Sequence, residues 1–213
     1  MLMGLMHMLL VSCSDDDNDF VYPDLLNEFV EFCTDSKGTV SKMTNDAGWS
    51  WSLDPIKELT ELVPDTVYRV VVKYVSQTAD GNDKAVLYSS QGVIAPIPIS
   101  ISHFKNVITD PVRIQSIWKG GDYINIILNV LVKDKSHKFH FIENGFSPLD
   151  DGSGKKLSLT LYHDRNADIE AFYRTVYLSV PLWYYKNVIG AGDKIEVSIN
   201  TYNDGVVKTT FDY

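Results

Sequence analysis

The sequence is poor in cysteine, in clustered positive charge and in long apolar runs, and each shortage excludes a class of protein. Its 213 residues include two cysteines, Cys13 and Cys33, which are too few for a disulfide framework. A formal net charge of −9 without a Lys/Arg cluster argues against nucleic acid as a partner. No apolar run reaches the ~20 residues of a transmembrane helix. Nucleophile-elbow, P-loop, zincin and dinucleotide motifs are missing, so we expect neither an enzyme nor a cofactor.

The N-terminal segment has the pattern of a lipoprotein signal peptide. Residues 1–12 contain no Asp, Glu, Lys or Arg and are largely apolar, as in the h-region of such a peptide. Their end, Leu10-Val11-Ser12-Cys13, resembles the bacterial lipobox, which is cut before a cysteine that becomes lipidated. We therefore predict a signal peptide at 1–12 and a lipid anchor at Cys13. The alternative is an N-terminal segment that merely contains a cysteine.

Residues 13–19 are interpreted as an acidic tether. Ser14, Asp15, Asp16 and Asp17 follow the predicted lipid directly, and self-repulsion keeps such a run extended. The run resembles the acidic signal that directs lipoproteins of some Gram-negative bacteria to the outer face of the outer membrane. It therefore predicts an outer-membrane lipoprotein exposed at the cell surface. A plain soluble linker is the alternative.

Residues 20–95 are predicted to form a small barrel. Turn signals at 36–38 and 45–48 separate three short strands, and strands follow at 67–74 and 85–88. Between them, Asp54-Pro55 is a helix-start signal, followed by apolar residues at helical spacing: Ile56, Leu59 and Leu62. Three strands, a short helix and two strands is the order of an OB-fold, although a partly open sheet is also compatible.

The rest of the chain is predicted to be a linker and a β-sandwich. Alternating prolines near 96–98 favour a linker over 96–109. About seven strands with turns between them then predict an antiparallel two-sheet sandwich over 110–213. The predicted fold class is therefore all-β with one short helix.

Several segments of this sequence resemble the NigD-like family of bacterial lipoproteins. They are the lipobox, 45–48, 62–65 leading to Arg69 and Tyr74, 117–125, and 159–163 followed by 170–173. The resemblance runs over nearly the whole chain and implies an N-terminal OB domain with a C-terminal β-sandwich. It also implies an envelope lipoprotein, and the family's name is tied to bacteriocin immunity. None of these segments is a catalytic signature.

Metal binding is weighed at one loop and at the histidines. Residues Asp164 to Asp168 place oxygen ligands at alternate positions as a calcium loop does, but Ile169 occupies the place of the loop glycine. A solvated turn is the favoured interpretation. His137 and His140 lie three apart on a strand, so they point to opposite faces. His163 is expected to be a hydrogen-bonded core residue. We predict no metal site.

Four aromatic residues are the candidate ligand-binding residues. Trp49 and Trp51 share one predicted strand face, and Trp118 and Tyr123 flank a Gly-Gly turn. Exposed Trp and Tyr rings stack on sugars and anchor protein partners. The alternative is that these rings belong to the core, which is the favoured interpretation for Trp49 and Trp51.

These observations lead to a functional hypothesis. The sequence favours a non-enzymatic, lipid-anchored envelope protein that binds a protein or peptide partner, in a role similar to immunity. A surface glycan-binding module is the alternative. A hydrolase stays open as a third class, since carboxylate pairs can be assembled from distant positions.

Overall fold

A computed structural model describes residues 24–54, 56, 59–79 and 82–213, and within them the chain is built almost entirely of β-strands. No helix in these ranges is both long and apolar enough to cross a membrane. The strands are β1 (Leu26–Thr34), β2 (Val40–Asn45), β3 (Ser50–Leu53), β4 (Val67–Ala79), β5 (Asn82–Gly92), β6 (Ile99–Ser100), β7 (Arg113–Gly120), β8 (Tyr123–Val132), β9 (Lys138–Pro148), β10 (Lys155–Asp164), β11 (Phe172–Pro181), β12 (Lys194–Thr201) and β13 (Gly205–Asp212).

Strands β1 to β5 form a closed barrel, in agreement with the predicted OB-like fold. The strand order is β1-β2-β3-β5-β4, and β1 also pairs with β4. The closing contact between β3 and β5 is parallel, whereas the other pairs are antiparallel. Alternate side chains of β1 and β4 fill the interior, because successive residues of a strand point to opposite faces. The buried barrel core contains Val30, Phe32, Val40, Met43, Leu53, Val70, Val72, Tyr74 and Ala85.

The short helix predicted after Asp54 is a 3₁₀ turn at Leu59 in the described part of that segment. The amide of Leu59 donates to the carbonyl of Ile56, three residues back, at 2.9 Å. Glu61 and Asp65 have φ values of 60° and 49°, which an α-helix does not allow. The apolar spacing predicted that one side of this segment faces the core, and Leu59 and Leu62 do pack against the barrel core.

The C-terminal strands form two packed sheets, in agreement with the predicted sandwich. One sheet has the order β13-β12-β10-β9-β6 and the other β11-β8-β7. The larger sheet is mixed, since β10 and β12 are parallel, and so are β6 and β9. The predicted sandwich is confirmed, and these two parallel pairs are the exceptions to its antiparallel pairing. For β10 and β12 the cause is connectivity: β11, which lies between them in sequence, crosses to the other sheet, so β12 re-enters in the direction of β10.

The segment expected to be a linker, 96–109, takes part in the sandwich. It contains β6 and a 3₁₀ turn at Ile101–His103, and Ile99 is in register with Ile142 of β9. Alternating prolines interrupt the hydrogen bonding between strands, but β6 begins directly after the last of them, at Ile99. Only part of this segment is therefore without regular structure.

Burial along four strands departs from strict alternation where the barrel meets the sandwich. In β8 the first four residues are all buried, and in β11 the last four are. Phe29 and Val30 are both buried in β1, as are Val70, Val71 and Val72 in β4. One face of each strand lies in its own core. The other face is covered by the neighbouring unit, which places this contact at the centre of the molecule.

Candidate functional site

The barrel and the sandwich meet at a polar cluster that we call the joint, formed by Asp46, Arg69, Asn125 and Ser179. Arg69 lies in β4, Asp46 follows β2, and Asn125 and Ser179 face outward from β8 and β11. Arg69 stands in a run of valines and tyrosine, Val67-Tyr68-Arg69-Val70-Val71-Val72, and only 4% of its side chain is exposed. Arginine is almost never buried without a partner, and here the other residues of the joint are its partners.

Arg69 binds the three other residues of the joint. Its Nη2 atom lies 2.6 Å from Oδ1 and 2.8 Å from Oδ2 of Asp46, and 2.9 Å from Oδ1 of Asn125. Its Nε atom donates to Oγ of Ser179 at 3.4 Å. Asn125 in turn donates through Nδ2 to Asp46 at 2.6 Å, and Ser179 donates to Asn125 at 2.7 Å. The joint is therefore a closed network that fixes the barrel on the sandwich.

The environment of Asp46 shifts the pKa of its carboxyl group. Burial raises the pKa of the Asp46 carboxyl above its ordinary value, while the Arg69 charge and the hydrogen bonds from Asn125 and Arg69 oppose this rise. About a fifth of the side chain, 19%, is exposed. The ion pair is thus buried on the arginine side and partly open to water on the aspartate side.

The turn between β7 and β8 contains two glycines because the Asp46 loop approaches it closely. A Cβ at Gly121 would lie 2.6 Å from the backbone oxygen of Asp46, and one at Gly120 would lie 2.6 Å from Asp46 Oδ2. Gly121 also has a φ of 52°, in the left-handed region. The Gly-Gly pair is therefore explained by contact between the barrel and the sandwich.

The connection between the two units is bonded to both. The amide of Val93 donates to the carbonyl of Arg69 at 3.0 Å, and the amide of Ile94 donates to the carbonyl of Tyr177 at 3.0 Å. Ile94 also accepts from the amide of Ser179 at 3.0 Å. The chain therefore enters the sandwich as an added bridge beside β11, which limits rotation at the joint.

A cleft of about 720 Å³ opens beside the joint, and we call it the joint cleft. Barrel residues of β1 and β4 form one wall, and sandwich residues near Tyr123 and Trp183 form the other. A smaller cavity of about 320 Å³ shares Glu31, Asp122 and Tyr123 with it. The joint cleft is lined by Glu31, Val67, Tyr68, Arg69, Val70, Gly92, Val93, Ala95, Asp122, Tyr123, Pro181 and Trp183.

Tyr123 lines this cleft and contacts two charged residues. Its hydroxyl donates to Oε1 of Glu31 at 2.6 Å, and its ring lies 4.0 Å from the guanidinium carbon of Arg69. Burial raises the pKa of Tyr123 far above its ordinary value, and the bond to Glu31 raises it further. Tyr123 therefore stays a neutral donor.

The four aromatic residues predicted to bind a ligand are not gathered at one place. Tyr123 lines the joint cleft, whereas Trp118 lines a second cavity of about 290 Å³, where it contacts Phe29 edge to face. Trp51 packs on the barrel core against Tyr74. Trp49 is 65% exposed, so its favoured assignment to the core is wrong. It precedes β3 and closes the turn through bonds between its backbone and Asn45, which directs the ring out of the barrel.

The lipid anchor and export signal lie outside the described residues. This applies to Cys13, Ser14, Asp15, Asp16 and Asp17, which therefore stay predictions. Cys33 lies in β1 as a free, half-buried thiol, and burial raises its pKa, as expected of a packing residue rather than a nucleophile.

In the loop suggested as a calcium site, the carboxylate of Asp168 is already occupied by backbone amides, two of them from the segment that follows β8. Asp168 accepts from the amides of Lys133, Asp134 and Ile169 at 2.7, 3.1 and 2.9 Å. Although burial raises the pKa of Asp168, these bonds lower it well below its ordinary range. Across the ranges that the structure describes, no three His, Cys, Asp or Glu side chains are grouped to hold a metal.

The sequence did not indicate that His163 has a second histidine as its partner. The expected core position of His163 is confirmed: it is buried, and its Nδ1 donates to the carbonyl of Asp110 at 2.8 Å. Its Nε2 therefore accepts from Nδ1 of His137 at 2.9 Å, and Nε2 of His137 lies 3.5 Å from Asp168. Burial lowers the pKa of His163, which keeps the ring neutral.

Sequence reasoning named three of the four residues of the joint, without their contacts. Asp46, Arg69 and Asn125 all belong to the segments that resemble the NigD-like family, at 45–48, at Arg69 and at 117–125. The structure brings these distant segments together at one network. The signal available in the sequence was a single arginine inside an apolar strand, which indicates a buried charge with a partner. No sequence pattern singled out Glu31 or Ser179.

Comparison with known proteins agrees with this fold. Residues 95–213 match the family model described as the NigD-like C-terminal beta sandwich domain. A NigD-like immunity protein from Bacteroides caccae ATCC 43185 is 30% identical, with a TM-score of 0.72, over 91% of this chain and 99% of that one. Comparison with curated proteins gives no significant match.

Two more distant structures share the fold. A protein of unknown function from Bacteroides vulgatus ATCC 8482 is 14% identical, with a TM-score of 0.69, over 89% of this chain and 90% of that one. A candidate lipoprotein from Bacteroides fragilis NCTC 9343 is 14% identical, with a TM-score of 0.58, over 89% of this chain and 97% of that one. At this identity the likeness concerns the fold alone.

Proposed function

Because the chain belongs to the NigD-like family, we propose that it is a non-enzymatic envelope protein that acts in immunity by binding a protein or peptide partner. The observation that carries this proposal is the similarity to the Bacteroides caccae protein described as a NigD-like immunity protein, which extends over 91% of the chain. The rigid joint supports it as well, because a fixed pair of β units presents one preformed surface.

The proposal is tested by challenging cells. A strain lacking the gene and the same strain carrying it are grown as lawns and spotted with concentrated culture supernatants from related strains. A zone of killing on the deletion lawn that is absent from the complemented lawn is the expected result. Equal zones with every supernatant that kills would contradict an immunity role. The negative control is complementation with a gene truncated before Arg69, which should leave the killing zone unchanged.

We further propose that Cys13 anchors the protein through lipid. The lipobox-like segment supports this, and so does the shared fold with the candidate lipoprotein of Bacteroides fragilis. Several acyl chains give firm membrane binding where one alone is marginal. Cys13→Ala should therefore move the protein from the membrane fraction to the soluble fraction, whereas Cys33→Ala should not. Unchanged membrane association of Cys13→Ala would refute the anchor.

The acidic tether is proposed to determine display at the cell surface. Asp15, Asp16 and Asp17 begin two residues after the predicted lipid, too close to the bilayer to join a folded core. Replacing all three with Ala should keep lipidation but abolish antibody labelling of intact cells. Asp150 and Asp151, in an exposed loop, offer a matched control. Equal labelling of the triple variant and the parent would mean that the tether is only a spacer.

A surface glycan-binding module is the second candidate, favoured by the exposed ring of Trp49. An indole that is 65% exposed on a barrel turn is available to stack on a sugar. On a glycan array, binding that is retained by Trp51→Phe and lost in Trp49→Ala would support this candidate. Absence of any glycan binding by the parent protein would exclude the array's sugars as its ligands.

A further inference from the structure

We propose that the joint cleft binds an extended peptide segment that carries a basic side chain. The inference rests on the proposed function and names the chemical class of its partner. It follows from three features of the cleft: its unpaired carboxylates, its aromatic walls and a buried donor without an acceptor. Each feature is a property of different atoms, and a peptide with a lysine or arginine satisfies all three.

The first feature is the charge that remains after the joint has paired. Asp46 and Arg69 neutralise each other at 2.6 Å. Glu31 and Asp122 line the same cleft, and in the described part of the chain neither takes part in an ion pair. Glu31 receives a neutral hydrogen bond from Tyr123 at Oε1. The cleft therefore offers two uncompensated carboxylates, which attract a cation and repel phosphate or other anions.

The second feature is the aromatic wall beside these carboxylates. Trp183 lies on the cleft with 42% of its surface exposed, and the ring of Tyr123 lines the same cleft. Tyr123 already covers the Arg69 guanidinium at 4.0 Å, which shows that a cation stacks in this environment. An ammonium or guanidinium group over the Trp183 ring would gain a second such contact. The combination of ring faces and carboxylates favours a basic side chain over a neutral sugar.

The third feature is an unsatisfied donor on Arg69. Its Nη1 atom is buried and has no hydrogen-bond partner among the described residues, although Nη2 and Nε are both bonded. Buried donors without an acceptor are rare, because leaving one unpaired costs stability. Arg69 lines the cleft, so a carbonyl oxygen bound there would complete the guanidinium once the buried Nη1 atom turns towards the cleft. A peptide backbone supplies that carbonyl beside the basic side chain.

The test uses an array of random decapeptides probed with the purified full chain in detergent. The parent protein should select peptides enriched in lysine and arginine. Glu31→Gln with Asp122→Asn keeps the acceptor for Tyr123 but removes both charges. This double variant should bind the selected peptides at least about tenfold more weakly, which corresponds to 1.4 kcal/mol of lost attraction. Asp24→Asn with Asp150→Asn removes two exposed carboxylates elsewhere and should leave binding unchanged.

Asp122→Lys alone provides a second variant, because Asp122 is exposed and its carboxylate supports no described fold contact. It should also reject basic peptides, while its unfolding midpoint stays at the parent value. Binding without basic enrichment, or equal binding by the parent and both cleft variants, would overturn the assignment. So would binding that is lost equally in the Asp24/Asp150 control.

The array and the cell challenge separate the two proposals. Basic-peptide binding that depends on Glu31 and Asp122, in a protein that gives no protection to cells, would support the cleft and contradict the immunity role. Protection that persists in the Glu31→Gln/Asp122→Asn variant would contradict the cleft and support the role. Loss of both in the double variant, with both retained in the control, is the expected outcome.

Discussion

The joint predicts that Arg69→Met destabilises the whole protein. Methionine keeps the apolar stem of the side chain but removes the guanidinium. It thereby deletes the bonds to Asp46, Asn125 and Ser179, which are 2.6 to 3.4 Å long. The Asp46 carboxylate is then left at the boundary with only its bond from Asn125.

The expected loss follows from the burial of the pair. Removing one member of a buried ion pair costs about 3–5 kcal/mol, chiefly because the other charge stays behind without compensation. Asp46 is 19% exposed and can regain some water, so we expect the lower end, about 3 kcal/mol. With a urea m-value of about 2 kcal/mol/M, the unfolding midpoint should fall by roughly 1.5 M.

The loss should also depend on pH, and its sign follows from Asp46. Burial raises the pKa of this carboxyl, so its ionised form weakens the folded state as pH rises through that pKa. Arg69 opposes the rise, so its removal raises the pKa of Asp46 further. The destabilisation should therefore be largest near pH 7 and smaller near pH 3, where Asp46 is protonated with or without Arg69.

Urea unfolding of the parent, Arg69→Met, Asp46→Asn and the double variant measures this effect as a double-mutant cycle. Arg174→Met is the matched control, because Arg174 is exposed on β11, and it should change the midpoint little. A loss below 1 kcal/mol for Arg69→Met, or equal losses at pH 3 and pH 7, would refute the claim that this ion pair holds the joint together.

Three further predictions concern the barrel, the close approach at the joint and the buried histidines. In chemical unfolding, Trp51→Ala should lower the free energy of unfolding by about 3 kcal/mol, because the ring packs on the barrel core. Trp49→Ala should change it by less than about 0.5 kcal/mol, because that ring is exposed. Equal losses in the two variants would contradict the burial of Trp51. Gly121→Ala should lower the free energy of unfolding by about 1–3 kcal/mol more than Gly152→Ala. Both glycines have a positive φ, but only a Cβ at Gly121 would meet Asp46. Similar unfolding midpoints for the two variants would mean that the Asp46 loop moves freely. Stability should fall as pH decreases below about 6.5, because burial lowers the pKa of His163 and the unfolded chain therefore binds the proton more tightly. This fall should persist in His103→Gln and weaken in His163→Gln. An equal fall in both variants would assign the pH dependence to other groups.

Local patterns in the sequence predicted the fold class because β-structure is encoded by neighbouring residues. Alternation in β10, where every second residue is buried, and turn signals at 45–48 need no information from distant segments. The helix after Asp54 was predicted on the same basis, but apolar spacing cannot distinguish an α-helix from a 3₁₀ turn held by the barrel core. Parallel pairing of β10 with β12 was not predictable either, because it depends on which sheet β11 joins.

The sequence by itself determined the all-β class, the OB-like strand order, the sandwich and the resemblance to the NigD-like family. These follow from composition, periodicity and short motifs, which act over a few residues. Tertiary structure alone decided that Asp46, Arg69, Asn125 and Ser179 form one network, that Trp49 points outward, and that Glu31 and Asp122 share a cleft. The physical reason is distance along the chain. Arg69 is separated from Ser179 by 110 positions, and only the packing of the barrel on the sandwich brings them within hydrogen-bonding distance.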